Sequence, residues 1–238
     1  GSTYYMDGDT WKQGLEVASN PNPGLKWEKS TEYNIGLDFS FLDNRLGGSV
    51  DVYRKKTTDL LFWYNVPTPP NLFNTTFANG GAVRNQGVEI ALNGIPLRNK
   101  NFEWKTTVTI AHNANELLNL SNNLYESGSY MDVNKVQAPV SAYTHRMEEG
   151  RPLGEFYGLK SIGVSENGLF LIERPDGEVV EYNSTMQSND EYRQYLGNGL
   201  PKVYLGWSNT LRYKNWDLSM QFTGQFGFKI LNCSRMFY

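Results

Sequence analysis

Between Trp27 and Phe41 the chain alternates strictly. The odd positions read Trp27, Lys29, Thr31, Tyr33, Ile35, Leu37, Phe39 and Phe41; the even ones read Glu28, Ser30, Glu32, Asn34, Gly36, Asp38 and Ser40. Successive side chains of a strand point to opposite faces, so this segment is a strand with one apolar and one polar face. A helix would scatter the same residues around its circumference. The pattern returns. Phe102, Trp104, Val108 and Ile110 oppose Glu103, Lys105, Thr107 and Thr109; Trp216, Leu218, Met220, Phe222 and Phe226 oppose Asp217, Ser219, Gln221, Thr223 and Gln225. Val203, Leu205, Trp207, Leu211 and Tyr213 oppose Gly206, Ser208, Thr210 and Arg212, with Tyr204 an exception on the polar side. Soluble strands usually run about 5 to 6 residues, whereas a tilted membrane strand needs about 9 to 11. These runs fit the second class and predict an all-β, antiparallel transmembrane barrel.

Hairpin register gives a second check. Pairing Phe41 with Leu46 sets Leu37 against Val50 and Ile35 against Val52; pairing Tyr213 with Trp216 sets Leu211 against Leu218 and Trp207 against Phe222. Pairing Gly94 with Phe102 sets Leu92 against Trp104. All three keep the faces matched, which a one-residue slip would invert. The connections are lopsided: three tight turns alternate with long stretches, about Thr57 to Arg84 and about Asn115 to Leu200. Tight turns on one side and long loops on the other characterise outer-membrane barrels. Within the long stretches, Pro67-Thr68-Pro69-Pro70 is excluded from a central strand for want of ladder donors. Asn115 to Tyr130 reads as an irregular loop, and Phe170 to Glu181 as a hairpin around Asp176-Gly177.

Composition narrows the chemistry. Lys+Arg 22 against Asp+Glu 25 leaves a net charge of -3, without the basic surplus of a nucleic-acid binder. One cysteine (Cys233) and two distant histidines (His112, His145) exclude a disulfide within residues 1–238 and argue against a thiolate or imidazole metal centre. Glycine pairs such as Gly47-Gly48 are not followed by the Gly-Lys-Ser/Thr of a phosphate loop. The polar-face carboxylates Glu28, Glu32, Asp38, Asp51, Glu89, Glu103 and Asp217 recur along strands instead of converging. They read as a hydrated lumen or plug-contacting wall, not a catalytic pair, so neither catalytic residues nor a cofactor is expected. Mean hydropathy is -0.54, an average in which alternating strands cancel.

These faces assign roles. Ile35, Leu37, Phe39, Trp104, Val108, Leu218 and Phe222 are expected to face lipid. Trp27, Tyr213 and Trp216 are expected in the interfacial girdle that aromatic side chains favour. Leu61-Phe62-Trp63-Tyr64 is either an upper girdle or a ligand-stacking patch; Trp63, Tyr64 and Tyr143 are the candidate substrate contacts. The alternative architecture is a soluble all-β adhesin or glycan-binding sandwich, in which a second sheet would cover the apolar face.

Several strings resemble one family. They are Asn20-Pro21-Asn22-Pro23-Gly24-Leu25-Lys26-Trp27-Glu28, Tyr33-Asn34-Ile35-Gly36-Leu37-Asp38, Tyr53-Arg54-Lys55-Lys56-Thr57-Thr58-Asp59-Leu60-Leu61 and Asn85-Gln86-Gly87-Val88-Glu89. Further on come Gly150-Arg151-Pro152-Leu153-Gly154-Glu155-Phe156-Tyr157-Gly158, Leu196-Gly197-Asn198-Gly199-Leu200-Pro201-Lys202, Tyr213-Lys214-Asn215-Trp216-Asp217-Leu218 and Gly227-Phe228-Lys229-Ile230. Their order is similar to the later part of the barrel in SusC/RagA-type TonB-dependent transporters of the Bacteroidetes outer membrane. The resemblance implies a plugged barrel of about 22 strands, of which residues 1–238 would hold about six to eight. The signal peptide, TonB-contacting segment, plug, and first and last strands are expected outside this stretch. It further implies import of glycans or peptides, a SusD-like lipoprotein lid, energy from TonB, and a dimer of transporter–lid pairs. Where relatives carry an Asp- and Asn-rich loop resembling a calcium site, Glu173 to Tyr195 holds only Asp176 and Asp190, and no bound ion is expected.

Overall fold

The computed structural model describes residues 2–121, 128–138 and 140–236. In chain order its strands are β1 (Ser2–Asp7), β2 (Thr10–Leu15), β3 (Lys29–Phe41), β4 (Leu46–Thr58), β5 (Leu61–Asn65), β6 (Thr75–Asn79), β7 (Ala82–Arg98) and β8 (Phe102–Asn119). Then follow β9 (Tyr130–Lys135), β10 (Tyr143–Glu148), β11 (Glu155–Val164), β12 (Phe170–Glu173), β13 (Val179–Glu181), β14 (Arg193–Asn198), β15 (Val203–Tyr213) and β16 (Trp216–Phe226). Six of them make one antiparallel sheet in the order β16-β15-β8-β7-β4-β3. These are the alternating runs.

Two hairpins pair as their faces predict: Phe41↔Leu46 through Ile35↔Val52 in β3–β4, and Tyr213↔Trp216 through Trp207↔Phe222 in β15–β16. The third differs. Gly94 faces Thr106, Leu92 faces Val108 and Leu97 faces Trp104, with a bulge between Gly94 and Leu97. Pro96 has no N–H, so the ladder breaks there; β7 then resumes to Arg98, and the turn is 99–101. Up to Gly94 the displacement is four residues, which keeps those side chains on their faces; the extra residue of the bulge then flips the parity of Leu97 and Arg98, so that Leu97 meets Trp104. Alternation fixes parity within a regular run and not register.

The apolar face is bare. Ile35 is 80% exposed, Leu37 65% and Phe222 53%, and Leu218 is also exposed. Phe39, Trp104 and Val108 are half-covered by their neighbours within the sheet. No second sheet lies over this face among the described residues, so the arrangement is not that of a sandwich. Two polar groups on it were not foreseen: Trp104 Nε1 donates to Asn209 Oδ1 at 3.0 Å and Trp207 Nε1 to Thr106 Oγ1 at 3.0 Å. The pairing hides these hydrogen-bonding atoms from an apolar surrounding.

Glycines thin the polar face where strands carry bulk. At Gly87 a Cβ would come within 2.6 Å of the His112 carbonyl and 2.8 Å of the Tyr53 ring. Tyr53 lies across this position, and its hydroxyl donates to Asn113 Oδ1 at 2.8 Å. An aromatic ring thus fills the gap that the missing side chain leaves.

All three tight turns (42–45, 99–101 and 214–215) lie at one end of the sheet. At the other end sit the long connections, which fold into a cap. Residues 59–81 hold the β5–β6 hairpin, and 120–202 hold a sheet ordered β13-β12-β11-β10-β9, with β14 also pairing β11. The Phe170–Glu181 hairpin is present as β12 and β13, closed by Gly177 N–H to the Arg174 carbonyl at 3.0 Å. The loop expected from Asn115 is corrected at its start: residues through Asn119 continue β8. Its middle, 122–127, lies outside the described residues. The cap is seated by an apolar cluster in which Val83, Leu117 and Leu120 pack with Leu60, Met131, Met147 and Leu153. The outer strands β3 and β16 have no further partner among the described residues, so the sheet does not close.

Candidate functional site

Two surfaces stand out, the polar face of the sheet and the cap above it. On the polar face, Asp51 lies directly opposite Glu89, and Ser49, Ala91, Thr109 and Gly206 form the adjoining rung. Small side chains there leave a recess of about 660 Å³, lined also by Tyr204, Gln221 and Gln225. It is a wet, shallow wall.

The cap is bound to the sheet through three of the strings noted in the sequence. In the first, Asn20 is buried and saturated: its Nδ2 donates to the carbonyls of Phe73 (2.6 Å) and Thr75 (2.9 Å), and its Oδ1 accepts from the N–H of Leu72 and Phe73. Asn22 Nδ2 reaches the Phe77 carbonyl at 2.9 Å, and Asn79 Oδ1 accepts from Lys26 N–H at 2.8 Å. This segment therefore clamps the β5–β6 hairpin. In the second, Gly150 N–H and the Arg151 carbonyl both bond the main chain of Leu117, while Leu153 N–H donates to Asn115 Oδ1 at 2.5 Å. Arg151 holds Glu155 through two bonds (2.8 and 3.1 Å) and lies 3.5 Å over the Tyr195 ring. In the third, the Asn198 side chain bonds the Leu153 carbonyl and Leu200 N–H.

The cap also contains a charged cluster that sequence did not reveal. Arg146 is buried, with bonds to Asp132 (2.7 and 3.1 Å) and Asp190 (3.0 and 3.1 Å). Its guanidinium carbon lies 3.7 Å over Tyr130 and 3.8 Å over Tyr157. Arg193 adds bonds to Asp132 at 3.2 Å and Asp190 at 3.3 Å. Burial disfavours charge on Arg146, Asp132 and Asp190, yet the hydrogen bonds win. The Arg146 pKa is held above its ordinary value, and those of Asp132 and Asp190 below theirs. Asp190, one of the two aspartates between Glu173 and Tyr195, is thus engaged by arginine. The members come from three separate segments, at Asp132, at Arg146 and at Asp190 with Arg193, and share no periodicity. The one hint was an arginine inside a short strand, flanked by His145 and Met147.

The candidate substrate contacts do not come together. Trp63 is 56% exposed and packs against Phe77 at 5.1 Å between ring centroids, and Tyr143 is 47% exposed beside a cleft in the cap. Tyr64 is only 1% exposed, and its hydroxyl donates to the Leu120 carbonyl at 2.8 Å. This corrects its placement: it faces the packed side of the hairpin and has no free face for a solute. Tyr213 and Trp216 flank the 214–215 turn, and Trp27 precedes β3 at the cap end. All three are exposed, at opposite ends of the bare apolar band.

Long strands, one bare apolar face, one polar face and a one-sided cap define a wall segment of an outer-membrane β-barrel. Residues 2–232 match the family model described as TonB dependent receptor-like, beta-barrel, and the chain belongs to that family of bacterial outer-membrane proteins. The TonB-dependent receptor P3 of Formosa agariphila is 30% identical over 243 aligned positions, covering 97% of this chain and 24% of that protein. The TonB-dependent receptor SusC of Bacteroides thetaiotaomicron is 31% identical over 223, covering 90% and 21%. A solved structure of the RagAB peptide transporter shares the fold with a TM-score of 0.75 at 24% identity, over 95% of this chain and 24% of that one. The SusC/RagA-type resemblance is borne out. The chain spans about a quarter of the length of these relatives.

Proposed function

We infer that this chain supplies wall strands and part of the extracellular cap of a TonB-dependent importer of glycans or peptides. Further chain completes a plugged barrel, the apolar face meets lipid, and a SusD-like lipoprotein covers the cap, in a dimer of transporter–lid pairs. The observation that carries this reading is the bare apolar face beneath a one-sided cap. Lipid satisfies such a face, and water or a plug satisfies the other. Trp63 and Tyr143 would offer aromatic contacts to solutes entering from the cap. The reading is tested with the full-length protein in its native outer membrane, following uptake of labelled oligosaccharides and peptides. Uptake should need both TonB and the neighbouring lipoprotein; uptake indifferent to both would overturn the assignment.

A further inference from the structure

Strands β10 and β11 are hairpin neighbours, yet their ladder holds one pair, His145↔Phe156. The same register would set Thr144 against Tyr157 and Tyr143 against Gly158; those pairs do not form. On its outer side β10 is bonded to β9 at Tyr143↔Lys135, and β11 to β14 from Tyr157↔Tyr195 to Leu159↔Arg193. Each strand is therefore secured along one edge, while its inner edge borders a cleft of about 640 Å³. Main-chain N–H and C=O groups on such edges call for partners.

The two sides of the cleft differ in chemistry. Tyr157 shares one side with the Asp132–Arg193 ion pair, which reaches across from β9 to β14 and holds the flanks of the diverging strands. Phe156 and Leu196 line the other side and are apolar. On this apolar side, two residues beyond Phe156, a Cβ on Gly158 would meet nothing nearer than Leu196 Cδ1 at 3.8 Å, so a ligand can approach the main chain closely there.

We propose that this cleft takes an extended peptide, which enters as a strand between β10 and β11. Its main chain bonds the two inner edges, and its alternate side chains meet the charged side and the apolar side. That is recognition by strand addition, in which backbone bonds supply affinity and alternate pockets supply preference. An oligosaccharide has no N–H and C=O groups at strand spacing and does not satisfy these edges. The proposal narrows the import reading to peptide cargo and rests on it for the cargo's later fate.

The test uses the full-length transporter in detergent, titrated with an acetylated octapeptide of alternating threonine and valine, with a linear glucose hexasaccharide as comparator. The expected result is saturable peptide binding, weakened about fivefold by single N-methylation at every second residue and little at the others, as loss of one hydrogen bond implies. Gly158→Trp, which fills the cleft, should weaken binding by at least about tenfold. No saturable binding at millimolar peptide, N-methyl effects without alternation, or equal affinity for the sugar would overturn the proposal. N-methyl scanning of the unaltered protein decides even if Gly158→Trp fails to fold. TonB-dependent uptake without peptide binding would sink this proposal and leave the import reading standing; peptide binding without such uptake would do the reverse.

Discussion

Replacing Arg146 with alanine should loosen the cap and leave the wall intact. The guanidinium makes four bonds, to Asp132 at 2.7 and 3.1 Å and to Asp190 at 3.0 and 3.1 Å, between two tyrosine rings. Its removal leaves two carboxylates facing each other, with Arg193 their remaining cation, at 3.2 and 3.3 Å. Breaking a buried ion pair from one side costs about 3 to 5 kcal/mol. The Asp190 side chain is 42% exposed, so water recovers part of that loss. About 3 kcal/mol is expected, or roughly a hundredfold more frequent local opening. Hydrogen exchange on the full-length protein reads this directly: amides in β9, β10 and β14 should lose protection, and those in β3 and β4 should not. Acid sharpens the comparison. Asp132 and Asp190 have folded pKa values below their unfolded ones, so their contribution is complete above about pH 4. It is lost as pH falls through the lower folded values. The unaltered cap should therefore loosen only in strong acid, whereas the variant should depend less on pH in that range. Unchanged protection, or loss spread evenly over cap and wall, would refute the reasoning.

Other perturbations probe other layers. Leu37→Lys places an ammonium group on the apolar face and should destabilise the full-length protein in bilayers by about 2 to 4 kcal/mol near mid-membrane; urea titration in lipid vesicles measures it. Asn20→Ala removes four hydrogen bonds around the β5–β6 hairpin. It should cost about 2 kcal/mol locally and be seen as faster proteolysis within residues 66–74. Gly87→Ala drives a Cβ to 2.6 Å from the His112 carbonyl; a loss of about 1 to 3 kcal/mol follows, read as a lower thermal midpoint in detergent. Trp63→Ala should leave that midpoint unchanged while weakening solute binding to the full-length protein, measured by calorimetry.

Much of the wall was legible because lipid imposes one rule on every residue of a strand: alternate. Ile35, Leu37, Leu218 and Phe222 obey it, and turns of fixed length then set the β3–β4 and β15–β16 registers. The β7–β8 hairpin escaped because Pro96 ends regular pairing before the strand itself ends. Parity tolerates any even displacement. Tyr64 was misplaced for a related reason. In a short hairpin, alternation separates Trp63 from Tyr64 without showing which of them faces the cap. Arg146, Asp132, Asp190 and Arg193 were invisible because their meeting depends on how irregular connections fold, and a linear pattern carries no trace of that. The strings around Asn20 and Gly150 stand out in the sequence only by their resemblance; the folded chain shows them to be clamps.

The pairing of β8 with β15 has a consequence for assembly. These strands are partners along eleven rungs, from Val203↔His112 to Tyr213↔Phe102, with the whole of residues 120–202 between them. Bringing two such distant segments into register slows folding, since the loop must close before any rung rewards it. The stitches from Leu117 to Arg151 and from Leu153 to Asn198 divide that closure into shorter steps. A cap sheet that formed first would act as a splint holding β15 beside β8, and pairing of the two strands in the membrane would then follow an event outside the bilayer.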